Sequence, residues 1–451
     1  MKEKQWKFDD KHIDVLDGVR ALAIFIVAWY HIWQISWKSA YFDFSWLGIE
    51  RFQGMDATWF VRYGFEMVDL MLLLSGFCLF LPYARSMVYG TKEPDIKKFY
   101  KKRVARIIPS YYFAIIVALI VANVNGEYAT SADMRKDLIP HLFFVHTYFK
   151  ESYIWSHLNG VLWTLAIEVQ FYLLFPWIAK LFKKWTVQTY FAMVAVSWMF
   201  INLQIVDKVP QEEYGMWINQ LPTFFGVYAN GMLASLIVVK LSQIFNDFMD
   251  KKQDVDRQNA RKIIGYFFSA LFVFTLIVFR LMMDDIARAE NMNQWQIINR
   301  YEISLLFALF IISSAFASKI IQVVLGNRVM RFLSMISFNF YIWHQFIGAT
   351  CKKHYIPFWE GDTPPNELGD QAWINKCFWL CWGTALAAAI ATTYLIEKPC
   401  TKLIMSIGTR KAEENAKSEK SGNTEKSDKT KENDKPEKSD KKEKSGKSKK
   451  S

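Results

Sequence analysis

Arg20 and His31 are the residues whose type and spacing most directly imply chemistry. Both lie in one apolar run, Asp17-Gly18-Val19-Arg20-Ala21-Leu22-Ala23-Ile24-Phe25-Ile26-Val27-Ala28-Trp29-Tyr30-His31. An eleven-residue separation at about 100° per residue is close to three helical turns, so both project from one face, about 16 Å apart. A cation at hydrocarbon depth is costly unless it faces a protein interior or a wet cavity. The pair therefore predicts a buried polar track. An imidazole that titrates near neutrality can take a proton from an attacking hydroxyl. A guanidinium can hold phosphate or carbonyl oxygens, or pair with a carboxylate such as Asp17 or Glu168.

Glu168 falls near the middle of a later apolar stretch, where an unpartnered carboxylate is expensive. It can orient His31, pair with Arg20 or face a substrate, and a fold-holding ion pair is the competing reading. Arg103 and Arg106, three apart, share a helix face beside Lys97, Lys98, Lys101 and Lys102. Such a cluster suits a phosphorylated ligand, and it suits anionic lipid headgroups as well. Asp69, Tyr341 and His344 are candidates for lining the same cavity, with core packing as the alternative for each. Trp163, Gln170 and Tyr172 read as packing and hydrogen bonding around Glu168 rather than chemistry, and Ser75-Gly76 as a close contact between helices.

The elements that must position these groups are membrane spans. More than half of the residues are apolar (52%) and 17% are aromatic, which fits a membrane body. Apolar stretches long enough to span run over 14–34, 64–84, 107–123, 158–179, 185–206, 221–241, 263–283, 301–321, 332–350 and 374–396. The fold class is thus an all-α integral membrane protein of about ten transmembrane helices. His141 to Phe149 is too short to span and reads as a re-entrant or interfacial segment. Lys and Arg collect in alternate loops (Lys2 to Lys11, Arg85 to Arg106, Lys180 to Lys184, Lys251 to Lys262), which predicts cytoplasmic N- and C-termini. The net charge of +12 is accounted for by these loops and the tail, and it does not point to nucleic acid. Residues 1–405 read as one transmembrane domain, and 406–451 as a disordered Lys/Ser/Glu-rich cytoplasmic tail. Arg20 inside the first apolar run argues against a cleaved secretory signal. The five cysteines lack metal-ligand spacing and no metal is expected; Cys351 and Cys377, at the ends of one loop, can form a disulfide.

Beyond these individual readings, the chain resembles the acyltransferase-3 membrane acyltransferases, which include bacterial glycan O-acetyltransferases. The resemblance spans roughly residues 12–400 and rests on motifs in a fixed order. They are Leu16-Asp17-Gly18-Val19-Arg20-Ala21 through His31, Val68-Asp69-Leu70 with Leu74-Ser75-Gly76-Phe77, and Phe99-Tyr100-Lys101-Lys102-Arg103-Val104-Ala105-Arg106-Ile107-Ile108-Pro109. Leu162-Trp163-Thr164-Leu165-Ala166-Ile167-Glu168-Val169-Gln170-Phe171-Tyr172, Ile336-Ser337-Phe338 with Tyr341-Ile342-Trp343-His344, and Ile396-Glu397-Lys398-Pro399 complete the set. Met67 and Met71-Leu72 depart from the family pattern at apolar positions only. The extracytoplasmic hydrolase-like domain of some relatives has no counterpart in this sequence.

The resemblance implies transfer of an acyl group, acetyl being the expected one, from cytoplasmic acyl-CoA to a hydroxyl of an extracytoplasmic or lipid-linked glycan. In that reading His31 is the base or the acylated residue, Glu168 supports it, and Arg20, Arg103 and Arg106 bind the donor. No cofactor is expected beyond the acyl-CoA substrate. Membrane lipid and a separate extracytoplasmic transferase are the other expected partners. Two further classes compete: a transmembrane acyl relay serving such a transferase, and a transporter. A transporter would share the intramembrane charges, but the chain lacks an internal repeat or paired Gly/Pro-broken spans.

Overall fold

The structure is a computed structural model and describes residues 7–11, 13–48 and 54–407. The proposed tail therefore lies almost wholly outside the described residues. Ten long helices make up the body: α1 (Val15–Ser36), α2 (Met67–Tyr89), α3 (Ile96–Val124), α4 (Trp163–Lys184), α5 (Thr186–Phe200), α6 (Phe225–Asp250), α7 (Asp254–Ile286), α8 (Met292–Phe316), α9 (Arg328–Lys353) and α10 (Gln371–Thr392). Among the described residues, nine spans are long and apolar enough to cross a membrane unaided. The tenth, α9, reaches that length and apolarity together with the short helix Lys319–Gly326, to which it is joined at a 44° bend. The ten apolar stretches of the sequence thus correspond to ten helices of a multi-pass membrane protein.

Small residues set how closely the helices approach. A Cβ on Gly231 of α6 would lie 2.2 Å from the Leu73 carbonyl oxygen of α2, and one on Gly76 would lie 2.9 Å from the Tyr228 carbonyl oxygen. These two glycines face each other's helix backbones, so α2 and α6 approach closely, as small residues allow between spans. Gly18 does the same for α1, against Leu325 of the short helix. At its far end α10 continues through a π-helical turn, Thr393–Glu397. Asn339 of α9 donates to Thr393 Oγ1 (2.8 Å) and Glu397 Oε2 (2.6 Å), so that turn is fixed by a buried amide.

The structure adds or corrects several features. A two-stranded antiparallel ribbon, β1 (Tyr41–Asp43) and β2 (Gly54–Asp56), follows α1 and was not anticipated. All five cysteines are free, so Cys351 and Cys377 are not joined; Cys377 is buried on α10. The segment after α3 forms the short helices Ser131–Leu142 and Lys150–Tyr153 with a 3-10 turn at His146–Tyr148, each too short to span a membrane.

Within that segment His141 and His146 stack almost parallel, with ring centroids 3.9 Å apart and both side chains buried. His141 Nδ1 lies 2.8 Å from the Asp137 carbonyl oxygen, whereas both ring nitrogens of His146 lack a hydrogen-bond partner. Burial, reinforced by the neighbouring His141, holds His146 well below the usual histidine pKa, and burial lowers His141 too, against the opposing pull of Asp137. A histidine whose folded pKa is depressed binds fewer protons folded than unfolded. Its contribution is complete above the unfolded pKa of about 6.5 and is lost as pH falls below it. The unfolding midpoint in detergent is therefore expected to fall between about pH 7 and about pH 5, and His146→Phe to flatten that dependence. An unchanged pH slope in His146→Phe would show that this pair does not set it.

Candidate active site

A cavity of about 130 Å³ sits among α1, α2, α3, α4 and α9. Arg20 comes from α1, Arg103 and Arg106 from α3, Glu168 and Tyr172 from α4, Ser75 and Cys78 from α2, and Ser337 and Tyr341 from α9. Helical spacing explains the grouping: Arg103 and Arg106 occupy adjacent turns of α3, and Glu168 and Tyr172 occupy i and i+4 on α4.

Each polar group is held by its neighbours. Tyr172 donates to Glu168 Oε1 at 2.9 Å and lies 3.4 Å from Ser75 Oγ. The Arg103 guanidinium lies 5.3 Å from the centre of the Tyr172 ring and 5.6 Å from that of Phe99, within cation–π range. Its Nε is buried with no hydrogen-bond partner, a donor left for something else in the cavity. Arg106 packs over Phe338 at 6.0 Å. Arg20 pairs with Asp17 at 3.6 Å and donates to Ser334 Oγ (3.4 Å) and Cys78 Sγ (3.5 Å). Ser334 in turn donates to Asp17 Oδ1 at 3.0 Å, so this network fastens α1 to α9. Of the two carboxylates weighed for Arg20, Asp17 is the one in ion-pair contact.

His31 does not line this cavity. It stands further along α1, connected through two aromatic contacts: Tyr341 to His344 (ring centroids 5.4 Å) and His344 to His31 (5.2 Å). His344 is fully buried, and its Nδ1 lies 2.7 Å from the Tyr341 carbonyl oxygen. Donation from Nδ1 to that carbonyl leaves the buried, unpartnered Nε2 as a free acceptor. His31 Nδ1 faces two amides, Gln34 Oε1 at 3.0 Å and Gln345 Nε2 at 3.2 Å; in the tautomer that donates from Nδ1 to Gln34 Oε1, Nε2 is left free to take up a proton. Gln34 is itself anchored by donation to Tyr30 at 2.8 Å.

Of the sequence-derived residues, Arg20, Arg103, Arg106, Glu168 and Tyr341 share one cavity wall, while His31 and His344 form the pair beyond Tyr341. Asp69 is a correction. It is turned away from the cavity and bonds Arg300 of α8 at 3.1 Å, with both side chains buried. Glu168 hydrogen-bonds Tyr172, so it meets the cavity beside Arg20 rather than orienting His31. Tyr172 hydrogen-bonds Glu168 and forms part of the polar wall. Gln34 and Gln345 were not singled out, although Gln34 lies one turn after His31 and Gln345 directly follows His344.

Fold and cavity define a multi-pass membrane protein with a buried arginine- and glutamate-bearing site. The chain belongs to the acyltransferase-3 family: residues 13–396 match the family described as an acyltransferase domain. It is similar to the O-acetyltransferase OatA of Staphylococcus aureus (25% identity over 80% of this chain and 54% of that protein). It is also similar to the peptidoglycan O-acetyltransferase OatA of Listeria monocytogenes (29% identity over 40% of this chain and 26% of that protein). The chain spans about half the length, or less, of these curated relatives. No solved structure matches.

Proposed function

We propose that this protein is a membrane O-acetyltransferase that moves an acetyl group from acetyl-CoA to a hydroxyl of a cell-envelope glycan such as peptidoglycan. The acetyl group and the glycan come from the names of its relatives; the donor comes from the family resemblance. The observation that carries the reading is the gathering of Arg20, Arg103, Arg106 and Glu168 on one cavity wall that leads through Tyr341 to the His31–His344 pair. The alternation of Lys- and Arg-rich loops supports an orientation with both termini and the arginine mouth in the cytoplasm, on the side of acyl-CoA, and the His31 end outside. Arg103 and Arg106 bind the phosphates or carbonyl of the donor, and the free Arg103 Nε is one available donor. His31 Nε2 takes the proton of the acceptor hydroxyl as its oxygen attacks the thioester carbonyl. The C–S bond then breaks, and the departing CoA thiolate takes up the proton.

Purified protein in detergent, supplied with acetyl-CoA and a glycan acceptor, is expected to release free CoA. Loss of a charge-assisted hydrogen bond worth about 1.5–3 kcal/mol should raise the KM for acetyl-CoA about 10- to 100-fold in Arg103→Ala. Absence of CoA release from the wild type would remove the enzyme reading. An unchanged KM in Arg103→Ala would remove Arg103 from the donor site.

A further inference from the structure

A second pocket, of about 330 Å³, lies at the His31 end of the bundle and shares no lining residue with the arginine cavity. Its walls come from the end of α3, the loop 156–160 that precedes α4, and the last turns of α9. Those helix ends are drawn together there: Lys353 of α9 pairs with Glu127 just beyond α3, and Lys352 Nζ lies 3.4 Å from the Ile35 carbonyl oxygen of α1. The feature that connects this pocket to the chemistry is Gln345. It lines the pocket, and its amide lies 3.2 Å from His31 Nδ1. The two cavities therefore approach the His31–His344 pair from different sides, one through Tyr341 and the other through Gln345.

The pocket wall is built. Asp137, itself buried, accepts from Ser156 Oγ (2.8 Å), the His157 backbone N–H (2.9 Å) and Tyr128 Oη (2.8 Å). The Tyr128 ring meets His157 edge-on at 5.2 Å, and His157 Nδ1 lies 3.7 Å from Glu127 Oε2. Glu127 is thus flanked by Lys353 and His157, so the pocket presents a balanced set of donors and acceptors without excess positive charge. That composition disfavours a phosphate and suits neutral hydroxyl and amide groups, with Phe346 as an apolar surface for a ring face. The volume lies at the lower end of small-ligand pockets, about 300–1,000 Å³.

We propose that this pocket is the acceptor subsite, which takes a saccharide and delivers its hydroxyl to His31 past Gln345. The proposal rests on the acetyl-transfer reading. Its test uses the full chain in detergent with the soluble N-acetylglucosamine–N-acetylmuramic acid disaccharide as probe. Two variants act on different walls: Ala349→Trp fills the pocket from an exposed position of α9, and Glu127→Gln breaks the ion-pair set. Disaccharide binding is followed by saturation-transfer NMR without acetyl-CoA, and acceptor KM by CoA release. Both variants are expected to bind the disaccharide at least tenfold more weakly than wild type and to raise its KM equally, with the KM for acetyl-CoA unmoved. Wild-type binding in both variants, or no disaccharide binding by an active wild type, would overturn the subsite. If the wild type binds the disaccharide at this pocket but never releases CoA, the acetyl-transfer reading falls and the saccharide site stands.

Discussion

His31→Ala should lower kcat for acetyl transfer by about 10²- to 10⁴-fold, the range spanned by losing a positioned general base. The same change should leave the KM for acetyl-CoA close to wild type, because the arginine cavity is walled by other residues. The fold should survive as well. His31 is only partly buried, and its two hydrogen-bond partners are an exposed and a half-buried glutamine that water can satisfy. His31→Asn is the informative companion, since it keeps a polar group near Gln34 but cannot accept a proton at neutral pH. Matched elution profiles and helical content, together with kcat and KM for each variant, decide the matter. A fall of less than tenfold in both variants would remove His31 as the base, and a proportional loss of folded protein would make it a structural residue.

Much of this arrangement was legible in the sequence because membrane spans impose a coarse but strong pattern. A run of about 20 apolar residues has few alternatives to a helix, so ten stretches became ten helices. Rare charges within such runs must turn inward, which is why Arg20 and Glu168 face one cavity, and Arg103 and Arg106 join them from the turn of α3 just before its apolar run. The direction in which a given charge turns was less legible. Asp69 matched a motif, yet its direction depends on α8, and Arg300 was hidden because it sits just outside the apolar run assigned to that helix. Gln34 and Gln345 are ordinary polar residues near helix ends, and only their convergence on His31 from α1 and α9 distinguishes them. The β1–β2 ribbon is three residues per strand, too short for a periodic signal.

Asp69 and Arg300 carry the largest expected effect on stability. The Arg300 guanidinium makes three buried hydrogen bonds: Nε donates to Asp69 Oδ2 at 3.1 Å, and Nη1 to the Ile218 carbonyl oxygen and Thr223 Oγ1 at 2.7 Å each. It also lies 4.1 Å from the centre of the Phe224 ring. One side chain thus ties α8 to α2 and to the turn leading into α6, next to the glycine contact that joins α2 and α6. Glu66, fully buried beside Gln296, is the second acidic group next to the pair. Removing one partner of a buried pair typically costs about 3–5 kcal/mol, because the other charge stays buried and uncompensated. Asp69→Ala should therefore lower the unfolding midpoint sharply, and Arg300→Ala should do so at least as strongly, since it leaves two acids without their cation. Replacing both with apolar residues of similar volume, Asp69→Leu with Arg300→Met, should recover the part of the loss that comes from the unpaired Asp69, while the part due to Glu66 remains, since a buried pair itself contributes little net stability beyond an apolar substitute. Protein of the double variant that folds should retain the wild-type KM for acetyl-CoA, because neither residue lines the arginine cavity. A double variant that is stable but has lost acetyl-CoA binding would return Asp69 to the site from which the structure turns it away.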